Sequence, residues 1–217
     1  MKQMMVLLFM LLLLTNYSPG SELSGQVKVQ HFSENKWMDA PNNANVVVFL
    51  LGIEEPPDSH DRYLDQKDKA FSTPVLAISK GQRVFFRNMD PVNHNIFSLS
   101  KAKKFDLGLY KDPVVKSVTF DQPGIVKVFC NIHHQMNADI LVLKNNKYAV
   151  TGVDGTYRIG KIPAGKYKAR VWAQGSKILS QSLTLAEDSK EILNFKVKVR
   201  QRSLKHLNKF GKPYKEY

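Results

Sequence analysis

The chain reads as an all-β protein, built from short strands arranged in sandwich layers. Three observations predict this. Between Gly25 and Val199 almost every periodic segment either alternates apolar and polar residues or forms a short apolar run. Turn signals rich in glycine and proline separate these segments. No long stretch carries the 3.6-residue apolar period of an amphipathic helix.

Taken in order, Ser24-Gly25-Gln26-Val27-Lys28-Val29-Gln30 alternates and predicts the first strand. The run from Val46 to Leu51 is continuously apolar, as expected of a strand buried on both faces. Gly124-Ile125-Val126-Lys127-Val128-Phe129 and Ala138-Asp139-Ile140-Leu141-Val142-Leu143 are two further β-rich runs. Val153-Asp154-Gly155-Thr156 is a hairpin turn signal between Tyr148-Ala149-Val150-Thr151 and Tyr157-Arg158-Ile159. Pro163-Ala164-Gly165 turns into an alternating strand, Lys166 to Trp172, and two more strands are expected at Lys177 to Leu185 and Glu191 to Val199.

Between the two β-rich runs lies Cys130-Asn131-Ile132-His133-His134-Gln135-Met136, and Cys130 is the single cysteine of the chain. A thiol with imidazole at plus three and thioether at plus six supplies three of the four ligand types of a mononuclear blue-copper site. His94 is the candidate for the fourth, in the polar loop Arg87-Asn88-Met89-Asp90-Pro91-Val92-Asn93-His94-Asn95. One thiolate, two neutral imidazoles and a weak thioether make a ligand field that both Cu(I) and Cu(II) tolerate. Alone, each residue has a plainer role, since a lone cysteine is often a small core hydrophobe. Their conjunction in one short loop between strands favours metal. A binuclear copper centre needs a second cysteine, and structural zinc normally uses more thiolates. A cysteine hydrolase would need an orienting Asn or Asp motif and leaves Met136 unused. Asp106 and Asp154 lack an evident carboxylate partner, so no catalytic residue is assigned.

These residues carry a family resemblance. The stretch from about Arg62 to Lys144 resembles a cupredoxin, and the ligand loop has the spacing of amicyanin-like proteins. Residues 74–90 resemble the family's strand, glycine turn, strand and polar loop leading into His94-Asn95, and Pro123-Gly124 resembles the turn before the cysteine strand. The resemblance implies a Greek-key sandwich with His94, Cys130 and His133 as equatorial ligands and Met136 as axial ligand. It implies that Asn95 holds the two ligand loops together and that His133 is the electron port. His134 stands where amicyanin-like loops commonly carry proline, which makes this second imidazole the alternative ligand; spacing from Cys130 favours His133.

A second resemblance covers the flanks. Gly-x-Val at 25–27, Asn-Val-Val-Val at 45–48, Thr-x-x-Asp-Gly-x-Tyr at 151–157 and Ile-Pro-Ala-Gly-x-Tyr at 162–167 are similar to the carboxypeptidase regulatory-like, or transthyretin-like, sandwich. Residues 25–53 plus 147–199 would form it, with a cupredoxin domain of residues 59–146 inserted. Glu54-Glu55-Pro56-Pro57-Asp58-Ser59 and Lys144-Asn145-Asn146-Lys147 are the expected junctions. This combination is similar to exported proteins described as methylamine-utilisation-like or plastocyanin-like, a label that assigns no substrate.

Residues 1–20 are expected to be a signal peptide. Lys2 precedes the apolar run Met4 to Leu14, too short to span a bilayer needing about 20 residues, and polar and small residues follow it. Cleavage is expected near Gly20, with an uncleaved anchor as the alternative. Export normally brings paired cysteines, so a lone thiol there is best protected by metal.

The net charge is +13, and Lys196–Tyr217 carries eight Lys or Arg against one acid, interleaved with Leu204, Leu207, Phe210, Tyr214 and Tyr217. Residues 200–217 are read as a basic tail. It suits an acidic redox protein partner or an anionic membrane surface, the plainer alternative being a solvated tail. Nucleic acid is not an expected partner. The sequence therefore points to a periplasmic or otherwise exported copper protein that carries electrons. The alternative is a non-enzymatic copper-delivery, copper-storage or envelope-binding module.

Overall fold

The computed structural model describes residues 20–56, 58–200 and 206–214. The expected signal segment up to residue 19, Pro57 of the first junction, and tail residues 201–205 and 215–217, with Leu204 and Tyr217, lie outside the described residues. Every regular element among the described residues is a strand, as expected.

In chain order the strands are β1 (Ser21–Ser33), β2 (Lys36–Asp39) and β3 (Val47–Leu51), then β4 (Arg62–Tyr63), β5 (Gln66–Lys67), β6 (Ala70–Phe71), β7 (Val75–Ser79) and β8 (Arg83–Arg87). Next come β9 (Ile96–Ser100), β10 (Lys103–Asp106), β11 (Val115–Thr119), β12 (Gly124–Cys130) and β13 (Asn137–Leu143). The last are β14 (Tyr148–Val150), β15 (Thr156–Ile162), β16 (Gly165–Trp172), β17 (Leu179–Leu185), β18 (Lys190–Ile192) and β19 (Phe195–Val199).

Strands from both ends of the chain share two sheets. In one, β1 pairs with β15, β18, β19 and β2; the other has the order β14-β3-β16-β17. Leu23, Val27, Val48, Leu50, Ile159, Val171 and Val197 fill the space between them. The middle strands make a second pair of sheets, β10-β9-β12-β13-β7 and β11-β8-β4, enclosing Phe86, Phe120, Ile96, Val128, Cys130, Met136 and Ile140.

A third core joins these units. Val47, Phe49 and Trp172 from β3 and β16 pack with Val75, Ala77, Leu141 and Leu143 from β7 and β13. This explains the unbroken apolar run at Val46–Leu50. Val46, Val48 and Leu50 enter one core, while Val47 and Phe49 enter another, so neither face meets water. β13 is divided in the same way, Ile140 and Val142 facing the copper-motif core and Leu141 and Leu143 the joint. Polar contacts rim the joint. Arg62 donates to the Ala77 carbonyl at 3.0 Å and to the Tyr148 hydroxyl, which itself donates to Ala77.

Two local expectations change. The Asp154-Gly155 turn is present, yet β14 pairs with β3 and β15 pairs with β1, so it carries the chain from one sheet to the other and makes no hairpin. Main-chain bonds to other strands win. Val27 donates to the Gly155 carbonyl, and Thr151 to that of Val46. Gly155 has φ +78°, and a Cβ there would stand 2.2 Å from the Val27 oxygen. The strand expected at Glu191 to Val199 is split into β18 and β19, both parallel to β1. The break lies where the Leu193 carbonyl presses on Gly25, leaving only 2.0 Å for a Cβ.

Candidate metal centre

Antiparallel pairing brings the ligand loops to one end of one sheet. Phe129 faces both Phe97 and Asn137, and Cys130 faces Ile96. The start of β9, the end of β12 and the start of β13 therefore lie side by side. His94 sits just before β9, Cys130 ends β12, and His133 and Met136 lie in the connection to β13. The loop is tight: Cys130 N–H donates to the Met136 carbonyl at 3.1 Å, and Met136 N–H to that of His133 at 3.0 Å.

Cys130 Sγ lies 3.7 Å from Nδ1 of His94 and 3.8 Å from Nδ1 of His133, and the two Nδ1 atoms are 3.2 Å apart. Among the described residues these three form a cluster of potential metal donors, with His94 and Cys130 buried and His133 half-buried. An ion with bonds of about 2.0 Å to nitrogen and 2.3 Å to sulfur, arranged trigonally, would set edges of about 3.5 to 3.7 Å. The observed triangle is close to that. With one sulfur and two imidazoles, the set fits a single mononuclear copper site.

The protonation pattern also fits. Nε2 of His94 is 2.8 Å from Oδ2 of Asp90, and a carboxylate there demands an Nε2–H donor. In neutral His94 the lone pair is then on Nδ1, facing Cys130. Asp90 is itself fixed by the β5–β6 turn, accepting from Asp68 N–H at 2.6 Å and Lys69 N–H at 3.0 Å. Burial works against its charge, but those donors and His94 outweigh it and hold its pKa below the ordinary value.

Burial likewise opposes ionisation of Cys130, yet the His94 contact and the main-chain N–H groups of His133, Asn95 and Ile132 pull the thiol pKa down. A depressed thiol pKa favours the thiolate that metal requires. Burial disfavours charge on His94, and its bonds to Cys130 and Asp90 reverse this, raising its pKa. His133 is lowered by burial, reinforced by the nearby charges of His94 and Lys69.

Met136 is buried in the same core as Cys130, consistent with a loop that turns inward at its end. His134 is exposed and outside the donor cluster, so the structure brings His133 and not its neighbour to Cys130. Asn95 does tie the loops together, but through its backbone: its carbonyl accepts from Asn131 N–H at 2.8 Å. Its side chain donates instead to Asp106. Asp106, which had no role in the sequence, also accepts from Gly108 N–H at 3.0 Å and pairs with Lys209 at 2.8 Å. Asp154 is confined to its turn, accepting from Thr156.

Asp90 was not singled out from sequence. The available signal was a carboxylate four residues ahead of a candidate ligand histidine, in the same polar loop. The rest of that loop is folded around Asn88, whose amide donates to the Val92 and Tyr110 carbonyls at 2.8 and 3.0 Å. Tyr110 in turn exchanges main-chain bonds with His94.

No protein-family model and no curated relative matches the chain. Among solved structures it is similar to amicyanin from Paracoccus versutus, with TM-score 0.35 and 18% identity, over 43% of this chain and 96% of that one. A purple cupredoxin from Nitrosopumilus maritimus aligns with TM-score 0.33 and 22% identity, over 39% of this chain and 99% of its own. A copper-containing nitrite reductase from Thermus scotoductus aligns with TM-score 0.37 and 21% identity, over 42% and 24% of the two chains. At this level of similarity, the reading of the central sheets rests on their own strand order and on the donors gathered at one end.

Proposed function

We propose that the chain is an exported single-electron carrier built around one type 1 copper. The observation that carries this reading is the convergence of two Nδ1 atoms and one Sγ within 3.8 Å of one another in a largely buried site. Copper bound there would supply the Cu(I)/Cu(II) couple. The chain's own contribution is to keep the donors still. Asp90 fixes the tautomer of His94, and the main chain of the β12–β13 loop holds Cys130 and Met136. We assign Met136 as the axial ligand, supported by its burial beside Cys130.

His133 is the least buried of the three donors, which supports it as the port for electrons. Exposed Met89, Val92 and Ile132 lie on the loops that carry the ligands and offer an apolar rim to a partner. The net charge of +13 favours an acidic redox protein by steering its approach. The signal-like segment supports export to the periplasm or beyond. The outer sheets, read as a transthyretin-like sandwich, serve as scaffold, and no catalytic step is assigned to any residue.

Voltammetry of the copper-loaded protein tests this. A carrier gives a reversible one-electron wave and exchanges electrons with an acidic protein faster at low than at high salt. Irreversible loss of metal on reduction, with Cu(I) passing to a competing chelator, points to copper delivery.

A further inference from the structure

The chain returns to the metal loop after β19. Residues His206–Tyr214 lie against the outside of the Phe129–Met136 segment and touch it through one ring stack and three hydrogen bonds. The His206 ring stacks on Phe129, with centroids 4.0 Å apart and planes 20° apart. Its Nε2 donates to the His134 carbonyl at 2.8 Å. Lys209 N–H donates to Oδ1 of Asn131 at 3.0 Å. The Tyr214 hydroxyl donates to the carbonyl of Cys130 itself, also at 3.0 Å.

The segment is braced internally and to the other ligand loop. Asn208 Oδ1 accepts from the N–H groups of Phe210 and Lys212, and the Tyr214 ring stands edge-on to His206 at 5.1 Å. Lys209 Nζ pairs with Asp106, whose other oxygen receives the Asn95 amide, and Asn95 is the neighbour of His94. The Tyr214 phenol is an O–H donor at neutral pH, as ordinary for tyrosine.

Cys130 is thus gripped on both sides of its backbone, its N–H by the Met136 carbonyl and its oxygen by Tyr214. We propose that His206 and Tyr214 are positioning residues of the metal centre, clamping the Cys130–Met136 loop from outside and so holding the thiolate in its working orientation. This rests on the copper reading above.

The test uses the full chain beside Tyr214→Phe and His206→Ala, both surface changes that leave the two main cores intact. In the metal-free proteins, amide hydrogen exchange across Asn131–Met136 should rise in each variant. In the copper-loaded proteins, the midpoint potential should move and release of Cu(I) to a chelator should speed up by about 10-fold, as for other outer contacts of a metal site. Unchanged exchange overturns the clamp. Faster exchange with unchanged potential and release overturns the positioning role, leaving a tail that only packs. A parent protein that takes up no copper sinks the copper reading, and the metal-free exchange still decides whether the tail holds the loop.

Discussion

Nε2 of His94 is tied to Oδ2 of Asp90 at 2.8 Å, and both side chains are buried. The bond turns Nδ1 of the imidazole toward Cys130, so the carboxylate selects the tautomer that can bind metal. Asp90→Ala should weaken copper affinity by about 10- to 100-fold, the usual consequence of removing such a partner. Competition titration checks this, and an unchanged affinity means that packing alone orients His94.

Met136→Leu retains the bulk of a buried side chain but not the thioether. Copper should still bind, while the midpoint potential shifts because the axial position tunes it. A potential equal to that of the parent removes Met136 from the ligand set.

The joint between the two pairs of sheets predicts how the protein unfolds. Trp172 is 4% exposed and packs with Val47, Phe49, Val75, Ala77, Leu141 and Leu143. Trp172→Ala should cost about 3–5 kcal/mol. The parent should melt in a single transition that splits in this variant, since the two units are coupled through that core. Two separate transitions already in the parent would mean that the units fold independently.

A pH dependence follows from Asp106. Burial raises its pKa, but Lys209, the Asn95 amide and Gly108 N–H outweigh this and hold it below the ordinary 3.8. A carboxyl depressed on folding stabilises the protein above its unfolded pKa, and the effect is lost as pH falls through the folded value. Protection of the Lys209 region in the metal-free protein should therefore be constant from neutral pH to about 5 and decline below that ordinary value. Asp106→Asn should flatten that decline. Hydrogen exchange across the range checks both, and an equal decline in the variant assigns the loss to other groups.

Much of this was legible in the sequence because the signals are local. Cys130, His133 and Met136 fall in one short loop, and the alternation of Val27, Val29 and their neighbours announces a strand. The turn at Asp154-Gly155 was equally visible, but not the sheet each flanking strand would join, because β1 and β3 lie more than a hundred residues upstream. The same holds for the metal centre's outer contacts. Asp90 depends on the β5–β6 turn, and Tyr214 reaches Cys130 across 84 residues. Asp90 offers only its position four residues ahead of His94, and Tyr214 carries no local spacing at all. Composition suggested a basic tail for docking partners, while aromatic stacking and single hydrogen bonds determine where its described part sits.

The most direct test of the central claim is the visible and paramagnetic-resonance spectrum of the mature protein after stoichiometric Cu(II), beside Cys130→Ser. An intense thiolate-to-copper band with narrow copper hyperfine splitting, lost in the variant while the sheets stay folded, is the predicted result. A colourless protein, or weak absorption indifferent to the substitution, would contradict the account.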